Sequence, residues 1–241
     1  MQALKETIKD LLGWMDHIEC QGVSWHKSRH EALAVLDRIE QGQLGCHAAQ
    51  SIAECDISRF TLPGKLLILD VETTGTDPKI YEICEFGAAV VTEHLVLLND
   101  VHDIVRPVSG HRDPVAMRVH GISELLLCEA RTLSSMLDKL DELILKHQPL
   151  ILAGWGVAFD AEFLRSAYAK DGREYPLGYR TFDVKSAVLF ELSRRGICPG
   201  WGGLNSCLKA MGMAFDGEQH TAMHDVTNTL RALRWCAGVS Y

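Results

Sequence analysis

The pattern of apolar and polar positions changes texture near residue 60. Before it, Leu4, Ile8, Leu11, Leu12, Met15 and Ile18 recur at helical spacing, and Leu33, Leu36 and Ile39 repeat the pattern after the Gln21-Gly22 break. Two amphipathic helices and a shorter piece are expected there, ending at the Leu62-Pro63-Gly64 turn. Beyond it, Leu66 to Leu69 form a continuous apolar run, the signature of a strand buried on both faces, with the first carboxylate, Asp70, only at its end. After a Gly75–Pro78 turn, Ile83 to Val91 and Leu95 to Arg106 read as two further strands, the last ended by Pro107. Short connections make these three strands a meander.

Thr132 then caps a helix carrying Leu133, Met136, Leu137, Leu140 and Ile144 on one face, closed by Pro149. Leu150 to Ala153 is a fourth strand, and a short one is expected near Tyr179 to Phe182. Helices are expected at about 158–171, 183–195, 203–212 and 222–236. A meander followed by strand–helix alternation predicts an α/β fold: a mixed sheet covered by helices.

Composition narrows the class. With 241 residues, the chain has room for one α/β domain of roughly 150–200 residues and a smaller appendage. Its 47% apolar and 23% charged content fits a protein with an ample core and excludes disorder. No apolar run reaches the roughly 18–20 residues of a membrane span, and the first residues lack a signal-peptide layout, so a cytoplasmic location without membrane attachment is expected. The eight cysteines contain no Cys-x-x-Cys and read as reduced thiols. Cys20, His26, His30, Cys46, His47 and Cys55 lack the spacing of a zinc site.

Three short segments carry chemistry. Asp70-Val71-Glu72-Thr73-Thr74-Gly75 ends the first strand, and alternation puts Asp70 and Glu72 on one side. Two carboxylates on a central strand repel unless a cation lies between them. In Phe159-Asp160, after the fourth strand, Phe159, Phe163 and Ala167 share a helix face while Asp160 faces away from it. That aspartate is either a metal ligand or a residue interacting with the helix dipole. His220-Thr221-Ala222-Met223-His224-Asp225 opens the last helix, where the histidine and aspartate either converge on a cleft or serve as cap and surface residue.

Together, Asp-x-Glu-Thr-Thr-Gly at 70–75, Phe-Asp at 159–160 and His-x-x-x-x-Asp at 220–225 resemble the DEDDh (DnaQ-like) 3′→5′ exonucleases. The resemblance covers about residues 64–238 and extends to Tyr81-Glu82-Ile83, Arg106-Pro107, His120-Gly121-Ile122-Ser123 and Thr181-Phe182-Asp183. It implies a ribonuclease H-like fold, with a mixed five-stranded sheet, and a two-metal phosphodiesterase. In that reading Asp70, Glu72 and Asp225 hold one Mg²⁺ or Mn²⁺, and Asp160 supports a second shared with Asp70. His220 is the general base, and His224 packs or faces solvent. Thr73, Thr74 and Gly75 seat the terminal nucleotide, with Phe163 or Trp155 as stacking residues. Trp155-Gly156 stand where many relatives have His-Asn, so the contact made by that Asn is not expected.

The implied activity is hydrolysis of single-stranded DNA or RNA 3′ ends to nucleoside 5′-monophosphates, in proofreading or repair, or alternatively in RNA trimming. A nonenzymatic scaffold is the remaining reading, and the presence of all five site residues speaks against it. Residues 1–60 would form a helical appendage for dimerisation or for a polymerase or repair partner. The net charge of −8 argues against coating of long nucleic acids. Over residues 61–241 there are 18 Lys and Arg against 23 Asp and Glu, an imbalance that two divalent ions would largely offset. Engagement of a few terminal nucleotides in a cleft is therefore expected.

Overall fold

The computed structural model describes residues 60–239. The helical appendage expected over residues 1–60 thus lies almost wholly outside the described residues. The elements, in chain order, begin with strands β1 (Leu66–Thr73), β2 (Ile83–Val91) and β3 (Leu97–Ile104). Helices α1 (Pro114–His120), α2 (Glu124–Glu129) and α3 (Leu133–His147) follow. Strand β4 (Ile151–Gly154), helix α4 (Ala158–Lys170), strand β5 (Thr181–Asp183) and helices α5 (Val184–Arg194), α6 (Leu204–Ala210) and α7 (Ala222–Ala237) complete the domain.

The strands form one five-stranded sheet in the order β3-β2-β1-β4-β5. β2 is antiparallel to both β1 and β3, as the meander required, while β4 and β5 run parallel to β1 and its direction. The apolar run of β1 is buried on both faces because helices cover both. Leu67, Leu69 and Val71 meet α3 and α4 through Leu137, Leu140, Phe163 and Leu164. Leu66 and Ile68 face α5, α6 and α7 through Val188, Leu208, Val226 and Leu230. Each such side chain contributes roughly 1.5–3 kcal/mol on burial, so the strand bearing the carboxylates is firmly anchored.

Helices α1 and α2 are additions to the sequence expectation. α1 buries no side chain and α2 only Leu127, so neither carries a periodic apolar face. They are specified by their ends: Asp113 caps α1, with Pro114 in its first turn, and Ser123 caps α2. Among the described residues no helix is long and apolar enough to cross a membrane.

Candidate active site

The site forms where β1 outruns β4. Pairing between them stops at Ile68↔Ala153, and the next residues of β1 present backbone that β4 does not cover. The Val71 N–H donates to Asp160 Oδ1 at 3.0 Å, which pins the first turn of α4 against β1 between Asp70 and Glu72. Asp160 is consequently buried, at 4% exposure. The carboxylate is thus directed into the protein from the first turn of α4.

Across β2, Asp70 pairs with Gly87 and Glu72 with Glu85, so both site carboxylates lie on the face covered by α7. The start of α7 crosses directly over Gly87. A Cβ there would stand 2.7 Å from the Ala222 carbonyl carbon and the Met223 nitrogen, closer than any side chain tolerates. The missing side chain at Gly87 is what lets α7 bring Asp225 down to the carboxylates. Asp225 Oδ2 accepts from the His220 backbone N–H at 3.0 Å, folding the His220 segment back over the site. Ligand atoms of Glu72, His220 and Asp225 all lie within 4.8 Å of one another.

The electrostatics are those of a crowded anionic site. None of the ion pairs among the described residues involves Asp70, Glu72, Asp160 or Asp225. Burial, then the charges of Asp160, Asp225, Glu72 and Glu85, raises the Asp70 carboxyl well above the usual carboxylate range. Burial and the neighbouring Asp225, Glu85 and Asp160 push Glu72 up to about 8. Asp160 rises to about 7, chiefly through burial, against the opposing pull of its hydrogen bond from Val71. Burial raises Asp225 too, with His220 acting in the other direction. Carboxylates crowded so that each disfavours ionisation of the next, with oxygen donors converging, suit a hard divalent cation.

Sequence reasoning missed Glu85. It is 3% exposed within a strand whose nine residues are all buried, and its Oε1 lies 2.6 Å from His102 Nε2 on β3. That hydrogen bond, opposed by burial, raises the His102 imidazole above its ordinary value. The signal was available: a lone carboxylate inside an apolar strand, thirteen positions beyond Glu72. The His120 motif also approaches the site. His120 Nδ1 accepts from the Ile122 N–H at 3.1 Å, while Nε2 faces Cys84 Sγ at 3.6 Å.

Two expected substrate contacts change. Phe163 is 2% exposed, part of the core under α3 and α4, and lines a small internal cleft with Tyr81, Arg106 and Pro107. Phe159, expected to share a helix face with Phe163, is 40% exposed and tilts against that ring with centroids 4.9 Å apart. Trp155 packs against the opposite core, and the Gly156 N–H donates to Asp183 Oδ1 at 3.0 Å.

Thr73, Thr74 and Gly75 follow Glu72 directly in the chain and are buried and engaged within the turn. The Thr73 hydroxyl donates to the Gly75 carbonyl at 2.7 Å, and Thr74 Oγ1 accepts from the Glu82 N–H at 3.1 Å. Tyr81 lies flat over Gly75, where a Cβ would be 2.4 Å from its ring atoms. His224, beside Asp225, accepts at Nδ1 from the Glu218 backbone N–H at 3.0 Å.

Comparison with known proteins agrees with this arrangement. A family model described as Exonuclease, of the RNase T type, matches residues 67–233. The oligoribonuclease of Corynebacterium glutamicum is 32% identical over 142 residues, covering 54% of this chain and 63% of the relative. A PolC-type DNA polymerase III of Ureaplasma parvum is 28% identical over 118 residues, 49% of this chain but only 8% of the polymerase. The chain thus spans less than two thirds of either relative. Among solved structures, the nuclease domain of 3′hExo, a DEDDh family member bound to rAMP, superposes with a TM-score of 0.57 at 22% identity, covering 70% of this chain and 90% of that one. Cell-death related nuclease 4 gives a TM-score of 0.62 at 15% identity, covering 71% and 62%. The fold is therefore the ribonuclease H-like one, and the chain belongs to the exonuclease family, with the architecture of its DEDDh-type 3′→5′ members.

Proposed function

We propose that this chain is a divalent-metal-dependent 3′→5′ exonuclease that removes nucleotides one at a time from single-stranded ends as 5′-monophosphates. One observation carries the reading: four carboxylates from β1, α4 and α7 converge, with no Lys or Arg paired to them among the described residues and with His220 against two of them. Asp70, Glu72 and Asp225 would hold one Mg²⁺ or Mn²⁺, and Asp160 with Asp70 would support a second. When bound, such ions neutralise the phosphodiester and favour both the attacking and the leaving oxygen.

The chain's own residues do the rest. Val71 N–H fixes the Asp160 carboxylate, and Gly87 lets α7 place Asp225. The His220 imidazole, exposed at the rim, takes the proton of the attacking water. Its ring lies within reach of Glu72 and Asp225 and could act as a ligand, but hard cations select oxygen, which leaves the ring to proton transfer. The Thr73–Gly75 turn borders the place of the terminal nucleotide, and Phe159, not Phe163, is the aromatic ring that solvent reaches.

The substrate is the end of a short single strand, DNA or RNA. The similarity to an oligoribonuclease favours RNA as the second reading. Titration of the protein with Mn²⁺ by calorimetry tests the metal assignment independently of turnover. Binding that disappears in Asp70→Ala is expected, and equal binding by both proteins would refute it. Parallel digestion of matched DNA and RNA oligonucleotides ranks the two substrates.

A further inference from the structure

The segment that delivers His220 is clamped by side chains of α7. Asn228, three residues past Asp225, is fully buried. Its amide oxygen accepts from the Asp216 N–H at 3.1 Å, and its amide nitrogen donates to the Asp216 carbonyl at 2.8 Å and to the His224 carbonyl at 2.8 Å. The side chain thus pairs with both backbone groups of Asp216, as a neighbouring strand would. Arg231 extends the clamp, donating to Asn228 Oδ1 at 2.7 Å and to the Ala214 carbonyl at 3.0 Å. One turn earlier, His224 Nδ1 accepts from the Glu218 N–H at 3.0 Å. Its ring lies so close over Gly217 that a Cβ there would stand 2.5 Å from it.

Packing alone does not call for this arrangement. Val226, Leu230 and Leu233 already supply the apolar face of α7, and burying an amide is unfavourable unless its donors and acceptors are satisfied. Here they are, and every bond beyond α7 goes to residues 214–218. Two residues further on, His220 has φ +60, a left-handed conformation that non-glycine residues rarely adopt and that persists only where the surroundings impose it. The imposed ends are visible: Asp216 and Glu218 on one side, and the His220 N–H on Asp225 on the other.

We propose that Asn228 is a positioning residue for the reaction: by fixing the backbone at Asp216 it sets the course of residues 217–220 and places the His220 imidazole against Glu72 and Asp225. This rests on His220 being the general base.

The test compares the 241-residue chain with its Asn228→Ala, His220→Ala and double variants, measuring kcat, KM and Tm. Asn228→Ala is expected to lower kcat by about 10–100-fold, the scale of a misplacement of roughly 1 Å, with KM changed less than about twofold. The double variant should be no slower than His220→Ala alone, because the amide acts through the imidazole. Gly217→Ala perturbs the same segment from its exposed side, by driving a Cβ into His224, and decides the matter should Asn228→Ala fold poorly. It should show the same kcat loss and the same non-additivity. Wild-type kcat in both single variants, or losses that multiply with that of His220→Ala, would overturn the positioning role alone. Wild-type activity in His220→Ala, with Asp70→Ala inactive, would overturn the base assignment and this proposal with it.

Discussion

Without divalent cations at neutral pH, Glu72→Gln is expected to make the protein more stable. Burial and the charges of Asp225, Glu85 and Asp160 move the Glu72 carboxyl from its ordinary 4.5 to about 8 in the folded chain. Between these values the folded state holds a proton that the unfolded state releases, so stability falls as pH rises from about 4.5 to 8. From the two values, ionisation of Glu72 costs under about 1 kcal/mol at pH 5 and about 3 kcal/mol at pH 7. The neutral isostere avoids that cost. For a domain of this size 3 kcal/mol corresponds to a Tm gain of about 6–12 °C. Thermal melts of both proteins in a chelator at pH 5, 6, 7 and 8 read it directly, and Mn²⁺ should raise the Tm of the wild type more than that of the variant. A gain of the same size at pH 5 and pH 8, or a variant less stable at pH 7, would refute the reasoning that charge crowding dominates this site.

Gly87→Ala is expected to destabilise the fold by about 1–3 kcal/mol, as overpacking does, and to lower kcat by displacing the start of α7. Denaturant titration and turnover measured together check both effects. Phe163→Ala should cost about 3–5 kcal/mol as a core deletion, whereas Phe159→Ala should cost about 1 kcal/mol and act mainly on KM. Melting curves with KM values for the two variants separate the core ring from the exposed one.

Much of the fold was legible because its strands and long helices follow their burial. β1 stood out as an apolar run ending in carboxylates, and α3 as a stripe from Leu133 to Ile144, since each is sandwiched or one-sidedly buried. α1 and α2 were not legible, for they bury almost nothing and depend on capping by Asp113 and Ser123. Asp70, Glu72, Asp160, His220 and Asp225 could be singled out as candidates because spacing and element ends constrain them. Phe163 lies in the core, as its helical spacing with Ala167 implied, and only the resemblance had pointed it toward a base. Asp160 was expected to face away from the core, yet the unpaired end of β1 draws it inward. Glu85, Gly87 and Asn228 depend on residues far away in sequence, across a strand pair or under a helix, and only the assembled fold shows what each holds in place.

The most direct test of the central claim is digestion of a 5′-labelled single-stranded oligonucleotide with Mg²⁺ or Mn²⁺, by wild type and by Asp70→Ala. A ladder shortening stepwise from the 3′ end, with release of 5′-monophosphates, is expected for the wild type and should vanish with chelator or in the variant. No metal-dependent shortening, loss of the label as mononucleotide before any ladder forms, or equal rates for the two proteins would contradict the account.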